Sequence, residues 1–364
     1  MKYLLFISSL LINIFLSSCS FQMRFFQEMN LENINKDLTV SPLSAYQVLG
    51  LTANGAKGTT LNQMLECLGN ESLEELNNIN QQILSTFKSF TTIEIANAVM
   101  TKLRPKQTFL DASELYEATV EPLQSLEQVN NWCNLKTHGT IPTILDELPG
   151  STLMVLINAL YFKGTWKTEF DVRNTTKKTF YNLGKTAKKV DTMALKEKFN
   201  YYFDRQVQVI ELPYTKDSMS AVIILPYEGK DINEYIRDLS DDKIHSYIKR
   251  MTEEVVTLEL PKFTLEFSAE LNDVLQKMGM VLAFKGNADF TNLIDGSIHI
   301  DKVVQKTFLS VDEHGTEASA ATAVTIRNGI NHSMAINRPF IFMLRNKNLP
   351  ETYEMMFMAK IEQL

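Results

Sequence analysis

The sequence predicts an α+β fold built as one domain behind a short leader. Three observations point there. Helix-start and helix-stop signals gather in the first half of the chain, while apolar and alternating strand runs dominate the second. No repeat, charge block or Pro/Gly/Ser-rich linker divides the residues after the leader, so 19–364 reads as a single unit. The composition, 45% hydrophobic and 22% charged over 364 residues, is that of an ordinary globule able to bury a sizeable core.

The chain opens Met1-Lys2-Tyr3, continues apolar from Leu4 to Leu16, and leaves through Ser17-Ser18-Cys19-Ser20. One positive charge, a short apolar run and small residues at the exit form a cleaved secretory signal over 1–18, with cleavage near 18–20. The run is shorter than the roughly 20 residues a bilayer span needs, and Asn13 interrupts it. Secretion into the extracellular space follows. In a bacterium the same Leu16-Ser17-Ser18-Cys19 fits a lipoprotein signal, with Cys19 carrying the lipid. In a secreted eukaryotic protein Asn70, Asn174 and Asn331 each open a glycosylation acceptor triplet.

Beyond the leader, Ser41-Pro42 starts a helix, because serine caps free amides and proline suits the first turn. That helix should fail at Asn54-Gly55, and another should run from Thr59-Thr60 to Gly69. Thr92 to Met100 and Leu153 to Phe162 read as strands, the second long and apolar enough to be central. Val207 to Leu212 and Ser220 to Leu225 are two more, separated by a turn at Lys216-Asp217. Asp231 to Met251 reads as helix, Val255 to Phe267 as strand, and Ala269 to Met278 as helix stopped by Gly279. Asp301 to Asp312, Pro339 to Arg345 and Tyr353 to Ile361 close the chain as strands.

Several function classes drop out. With 36 Lys+Arg against 43 Asp+Glu the net charge is −7, so the basic excess of a nucleic-acid binder is missing. Three cysteines (Cys19, Cys67 and Cys133) are too few for a disulfide scaffold, and no CxxC suggests zinc or redox chemistry. Cys67 and Cys133 remain a possible pair. No two glycines have the spacing of a GxSxG elbow or a dinucleotide loop, and the five histidines form no HExxH. The reading is therefore not an enzyme, with no cofactor and no metal.

Val311 to Pro339 carries the functional argument. In steps of two, Thr316, Ala318, Ala320, Thr322, Val324 and Ile326 are small, then apolar, while the intervening set holds Glu317 and Arg327. Period two means a strand with one buried and one wet face. Yet Gly315 opens the segment, alanine is a poor strand former, and Asn328-Gly329 is a turn pair. No proline lies between Asp312 and Arg338, so the stretch can sit outside as a loop or inside a sheet as a strand.

Six stretches, in order along nearly the whole chain, match motifs of the serpins. They are Val40-Ser41-Pro42-Leu43-Ser44, Gly55-Ala56-Lys57-Gly58-Thr59-Thr60, and Asn158-Ala159-Leu160-Tyr161-Phe162-Lys163-Gly164-Thr165-Trp166 in the first half. Leu260-Pro261-Lys262-Phe263, Asp312-Glu313-His314-Gly315-Thr316-Glu317-Ala318 and Asn337-Arg338-Pro339-Phe340 follow in the second. The sequence thus resembles the serpin family. The resemblance implies a fold of three β-sheets and about nine helices, with an exposed reactive loop over 313–338. It also implies a monomer that captures a serine protease: the loop is cut, then inserts as a strand in the central sheet with the acylated protease attached. A non-inhibitory carrier, chaperone or storage protein on the same fold is the alternative.

Carried over position by position, Gly315 and Thr316 form the hinge, continued by Ala318, Ala320 and Thr322, with Glu313 paired to Lys262 beside Trp166. Ser41, Ser44 and Asn158 match a polar cluster beneath the sheet. The family usually adds a histidine to that cluster, where this chain has Gln305, so its pH dependence should differ. Counting from Glu313 puts the reactive bond after Gly329, before Ile330, and counting back from Pro339 puts it after Asn328. Arg327 is the residue a trypsin-like pocket would prefer, which favours Arg327-Asn328. A sugar on Asn331 would stand close to the incoming protease. Between Asn70 and Met100 the only basic residue is Lys88, so heparin binding through that region is not expected.

Overall fold

The computed structural model describes residues 19–87, 93–162, 164–215, 218–315 and 331–364. The leader, Thr316, Ala318, Ala320, Thr322 and the candidate reactive residues Arg327, Asn328, Gly329 and Ile330 lie outside the described residues, as does the turn at Lys216-Asp217. Helix α1 (Phe21–Glu32) opens the described residues. Ser20 caps it by accepting from the Met23 amide, and Asp241 in turn holds both the amide and the hydroxyl of Ser20. After β1 (Leu38–Val40) comes α2 (Pro42–Gly55), started by Ser41 and Pro42 as expected. All but one of its residues are buried, the mark of a helix enclosed on every side. The next helix, α3 (Gly58–Leu68), ends on Gly69 in the left-handed conformation.

The remaining elements are α4 (Leu73–Phe87), β2 (Ile93–Thr101), α5 (Gln107–Leu115), β3 (Thr119–Pro122), α6 (Leu126–Lys136), β4 (Met154–Phe162), β5 (Thr176–Asn182), β6 (Thr186–Phe203), β7 (Val207–Pro213) and β8 (Met219–Pro226). Then follow α7 (Ile232–Arg237), α8 (Asp241–Arg250), β9 (Thr252–Pro261), β10 (Phe263–Glu270), α9 (Asn272–Lys277), β11 (Lys302–Val311), β12 (Asn331–Ala335), β13 (Phe340–Asn346) and β14 (Met355–Ile361). Three spans differ from the sequence reading. The strand-rich run from Val255 to Phe267 is the end of β9 and the start of β10, divided at Lys262. The expected single helix from Asp231 to Met251 is two, because Asp231 and Ser240 each cap a start of their own. The helix expected from Ala269 begins only at Asn272, since Ala269 and Glu270 pair with Gln305 and Val304 as the end of β10.

The strands form two hydrogen-bonded sheets among the described residues. One has five strands in the order β10-β11-β4-β2-β3. The other runs β1-β14-β13-β8-β7-β6-β9-β12, with β5 attached to β6. The three sheets implied by the resemblance are thus joined into two, because the 18-residue β6 pairs with β5 and β9 along one part and with β7 at its end. Helix α2 packs against β2, β4 and β14, between the two sheets. The opposite face of the five-stranded sheet is covered by α6. There Val129, Trp132 and Cys133 meet Ala96, Ala98, Val155, Ile157, Ala159 and Val304 in a separate core cluster. Cys67 lies in the main core instead, and both thiols are free, so the possible Cys67–Cys133 pair is not made. Burial pushes each up to about 12, leaving them protonated and inert.

Candidate functional site

Period-two alternation decides which side chains of the five-stranded sheet look inward. Ala96, Ala98, Val155, Ile157 and Val304 face α6, so Asn97, Asn158 and Gln305 face the core on the opposite side. The register sets these three abreast, with Gln305 opposite Asn158 and Asn158 opposite Asn97. The result is a row of amides across β11, β4 and β2. Gln305 Nε2 donates to Asn158 Oδ1 at 2.6 Å, and Asn158 Nδ2 donates to Asn97 Oδ1 at 2.6 Å and to the Ser44 hydroxyl. Gln305 also accepts from the Ser41 amide at 3.0 Å and donates to the Ser41 carbonyl at 2.9 Å, while Ser41 Oγ donates to Met356 O at 2.9 Å.

All four expected members, Ser41, Ser44, Asn158 and Gln305, are therefore in one network, enclosed from water. Asn97 was missed by the sequence reading. A lone amide between Ala96 and Ala98 was the signal available. Gln305 satisfies the helix start and the sheet together without carrying a charge.

At the far end of β11 the chain is strapped down before the loop begins. Trp166 donates its backbone N–H to His314 O and its indole N–H to Asp312 O, each at 3.0 Å. The Phe170 amide donates to Glu313 O at 2.9 Å. The Trp166 ring stacks on Tyr214 at 4.4 Å between centroids, forming an apolar floor. Gly315 closes the strap at φ +106, where an added Cβ would lie 2.2 Å from Gly164 O and 2.7 Å from Trp166 N. No side chain fits there, which accounts for glycine at this position.

Glu313 points back into the fold and is only 5% exposed, with Lys262 Nζ at 2.6 Å and Thr175 Oγ1 donating at 2.7 Å. Burial raises its pKa, but the hydrogen bonds from Lys262 and Thr175 outweigh that, holding the carboxyl below its ordinary range. His314 Nδ1 lies 3.0 Å from Glu169 Oε2. Thr175, Glu169 and Tyr214 are further members that the sequence reading did not single out.

The acceptor asparagines divide. Asn174 and Asn331 are exposed. Asn70 is 7% exposed, its Nδ2 is enclosed, and its Oδ1 accepts from Tyr46 at 2.8 Å. A glycan on Asn70 has no room in this fold, so that candidate is withdrawn. Among the described residues no group of His, Cys, Asp or Glu is arranged to hold a metal ion, and no helix is long and apolar enough to cross a membrane.

Comparison with known proteins agrees with this geometry. The family model for "Serpin (serine protease inhibitor)" matches residues 16–364. Iripin-2 of Ixodes ricinus is 32% identical over 357 residues, covering 90% of this chain and 88% of its own. Intracellular coagulation inhibitor 2 of Tachypleus tridentatus is 30% identical over 359 residues, covering 91% and 87%. The crystal structure of tengpin, a thermophilic serpin in its native state, superimposes with a TM-score of 0.87 at 32% identity, covering 97% of this chain and 94% of that one. A sheet built with this register, a loop strapped at this corner and a match along nearly the entire length lead to one conclusion: the chain belongs to the serpin family.

Proposed function

We propose that the protein is a secreted suicide substrate of serine proteases, with residues 1–18 as its signal, 313–338 as its reactive loop and Arg327-Asn328 as the favoured bond. Its relatives include proteins named leukocyte elastase inhibitor and serine protease inhibitor 42Dd. The observation that carries the reading is the parallel pairing of β11 with β4, Lys302 to Phe308 against Val155 to Tyr161. These two strands lie side by side, and the loop leaves from the end of β11. A chain turning back from Gly315 would run antiparallel to both. Inserted between them, it would replace one parallel contact with two antiparallel ones, and parallel pairing is slightly the weaker kind.

The geometry allows it. Residues 316–327 extended at about 3.3 Å each reach about 40 Å, more than the nine-residue β4 requires. At a net of about 1 kcal/mol per ladder hydrogen bond, plus burial of Val324 and Ile326, insertion releases on the order of 10 kcal/mol. The intact form is then held by a kinetic barrier. Strand insertion of this kind is a recognised class of switching transition, of which serpins are the standing example.

Gly315 and Thr316 act as the hinge, and the small inward set Ala318, Ala320 and Thr322 passes between the strands without obstruction. Trypsin enters the proposal through Arg327, whose guanidinium suits a carboxylate at the base of its pocket. Mixed with trypsin, chymotrypsin and elastase, the protein should form an SDS-resistant adduct with at least one. The mass of the released carboxy-terminal fragment then reports the cut, after Arg327 or after Asn328 or Gly329. Protein nicked in the loop should also resist heating far better than intact protein. Cleavage by every protease without an adduct, and with no gain in heat resistance, would overturn the proposal in favour of a non-inhibitory role.

A further inference from the structure

The chain returns from the loop at Asn331, the first residue of β12, and the next side chain stands in an aromatic cluster. His332 lies 5.0 Å from Phe203 and 5.4 Å from Tyr201 between ring centroids, and Tyr201 stacks on Phe203 at 5.6 Å and 23°. The three rings differ in exposure. Tyr201 is buried, whereas Phe203 is 50% exposed at the end of β6. The platform beneath Phe203 is tied down. Gln208 Nε2 donates to Tyr201 Oη at 2.7 Å and to Ser333 O at 3.1 Å, fastening β7 to both β6 and β12. Beyond Phe203, Asp204 accepts from the Gln206 and Val207 amides and from the Tyr202 hydroxyl, fixing the turn.

A half-exposed phenylalanine on a rigid support is the kind of aromatic anchor that interfaces use, because little freedom is lost when it is covered. We infer that Phe203, backed by Tyr201 and His332, is a docking contact for the target protease outside its active-site cleft. The contact would meet an apolar side chain on the rim that receives the residues after the cut. This rests on the reading above. If the bond lies at Arg327-Asn328, chain length alone keeps it within about 14 Å of His332, at no more than about 3.5 Å per residue. A standard protease–inhibitor footprint of about 800 Å² per partner has a radius of roughly 16 Å. His332 therefore falls inside the area a docked protease covers, and Phe203, 5.0 Å from it between ring centroids, lies at the margin of that area. The contact would exist only before insertion, since the protease then leaves this corner of the molecule. Phe203 should accordingly set the speed of capture and not its outcome.

The experiment compares wild type, Phe203→Ala and Phe203→Tyr with trypsin. For each, it measures the second-order rate of SDS-stable complex formation, the stoichiometry of inhibition, and affinity for trypsin whose nucleophilic serine is replaced by alanine. Phe203→Ala should lower the rate and the affinity about tenfold, the worth of one modest anchor. Stoichiometry and thermal midpoint should stay unchanged, and Phe203→Tyr should behave as wild type. Equal rates and affinities for all three variants overturn the docking contact and leave the inhibitory reading standing. A changed stoichiometry with an unchanged rate also overturns it, because the residue would then act on insertion. No complex from the wild type overturns the inhibitory reading and the contact with it.

Discussion

Gln305 occupies a position where a titratable side chain would make sheet opening depend on proton uptake. As an amide it meets the Ser41 amide, the Ser41 carbonyl and Asn158 together, so the row from β11 to β2 is complete at any pH between the carboxylate and lysine ranges. Replacing it with a nonpolar side chain of similar size leaves the Ser41 amide and Asn158 Oδ1 without a partner, while the Ser41 carbonyl keeps its bond from the Ala45 amide. Gln305→Leu should cost about 2–4 kcal/mol in urea unfolding, at one to three for each unsatisfied group with partial relaxation. A loss below about 0.5 kcal/mol would mean that the row adds nothing to the folded state.

The five-stranded sheet shows how one element can be strong and still be open to change. Its core face is pinned by the amide row, while its outer face carries α6 through Val129, Trp132 and Cys133. These side chains lie on Val155, Ile157, Ala159 and Val304, residues of the two strands that would have to part. On the proposed mechanism a strand arriving between β4 and β11 would have to pass under α6, and the helix would act as a cover over that contact. Trp132→Ala should weaken this packing by about 3 kcal/mol. It should also speed uptake of a synthetic peptide with the sequence of residues 316–327, followed as a rise in thermal midpoint over time. An unchanged uptake rate in a variant that is measurably destabilised would show that α6 does not limit insertion.

Across the molecule, stability is divided between a large shared core and a few buried ionic contacts that respond to pH. His245 on α8 reaches Glu354 at 3.2 Å and Glu351 at 3.5 Å, linking that helix to the segment before β14. Its pKa is raised above the usual 6.5, chiefly by the hydrogen bond with Glu354, with burial opposing and the charges of Glu354 and Glu351 assisting. A raised histidine contributes its full stability below about pH 6.5 and loses it as pH climbs through the folded value. His245→Gln should therefore be less stable than wild type in mildly acidic buffer and converge with it as pH rises above neutrality. A stability gap that widens toward pH 8 would contradict this assignment. The pair Glu313–Lys262 has the opposite sign: its contribution is present above the ordinary glutamate range and fades on acidification.

Much of this was legible in the primary structure, for reasons that differ by feature. Local chemistry placed the start of α2 and the end of α3, because caps, prolines and glycines act within a turn of themselves. A long apolar run placed β4, because burial on both faces leaves a composition that needs no context. Asp231 to Met251 misled because two good caps within one helical stretch do not show on their face which will prevail. Asn70 read as a glycan acceptor because a triplet carries no information about burial, and Tyr46, which encloses it, lies 24 positions earlier. The resemblance, resting on six short motifs, identified the family and the positions of the strap and the amide row. Only tertiary structure could set Asn97 beside Asn158 and Gln305, bring Trp166 over Tyr214, or lay β11 parallel to β4, since register between distant strands depends on the whole packed sheet. The sequence by itself determined the start of α2, the end of α3, the apolar strands and the family motifs, because each is written within a few neighbouring residues. Packing between distant segments decided which strands lie side by side, because pairing across long separations depends on the whole sheet.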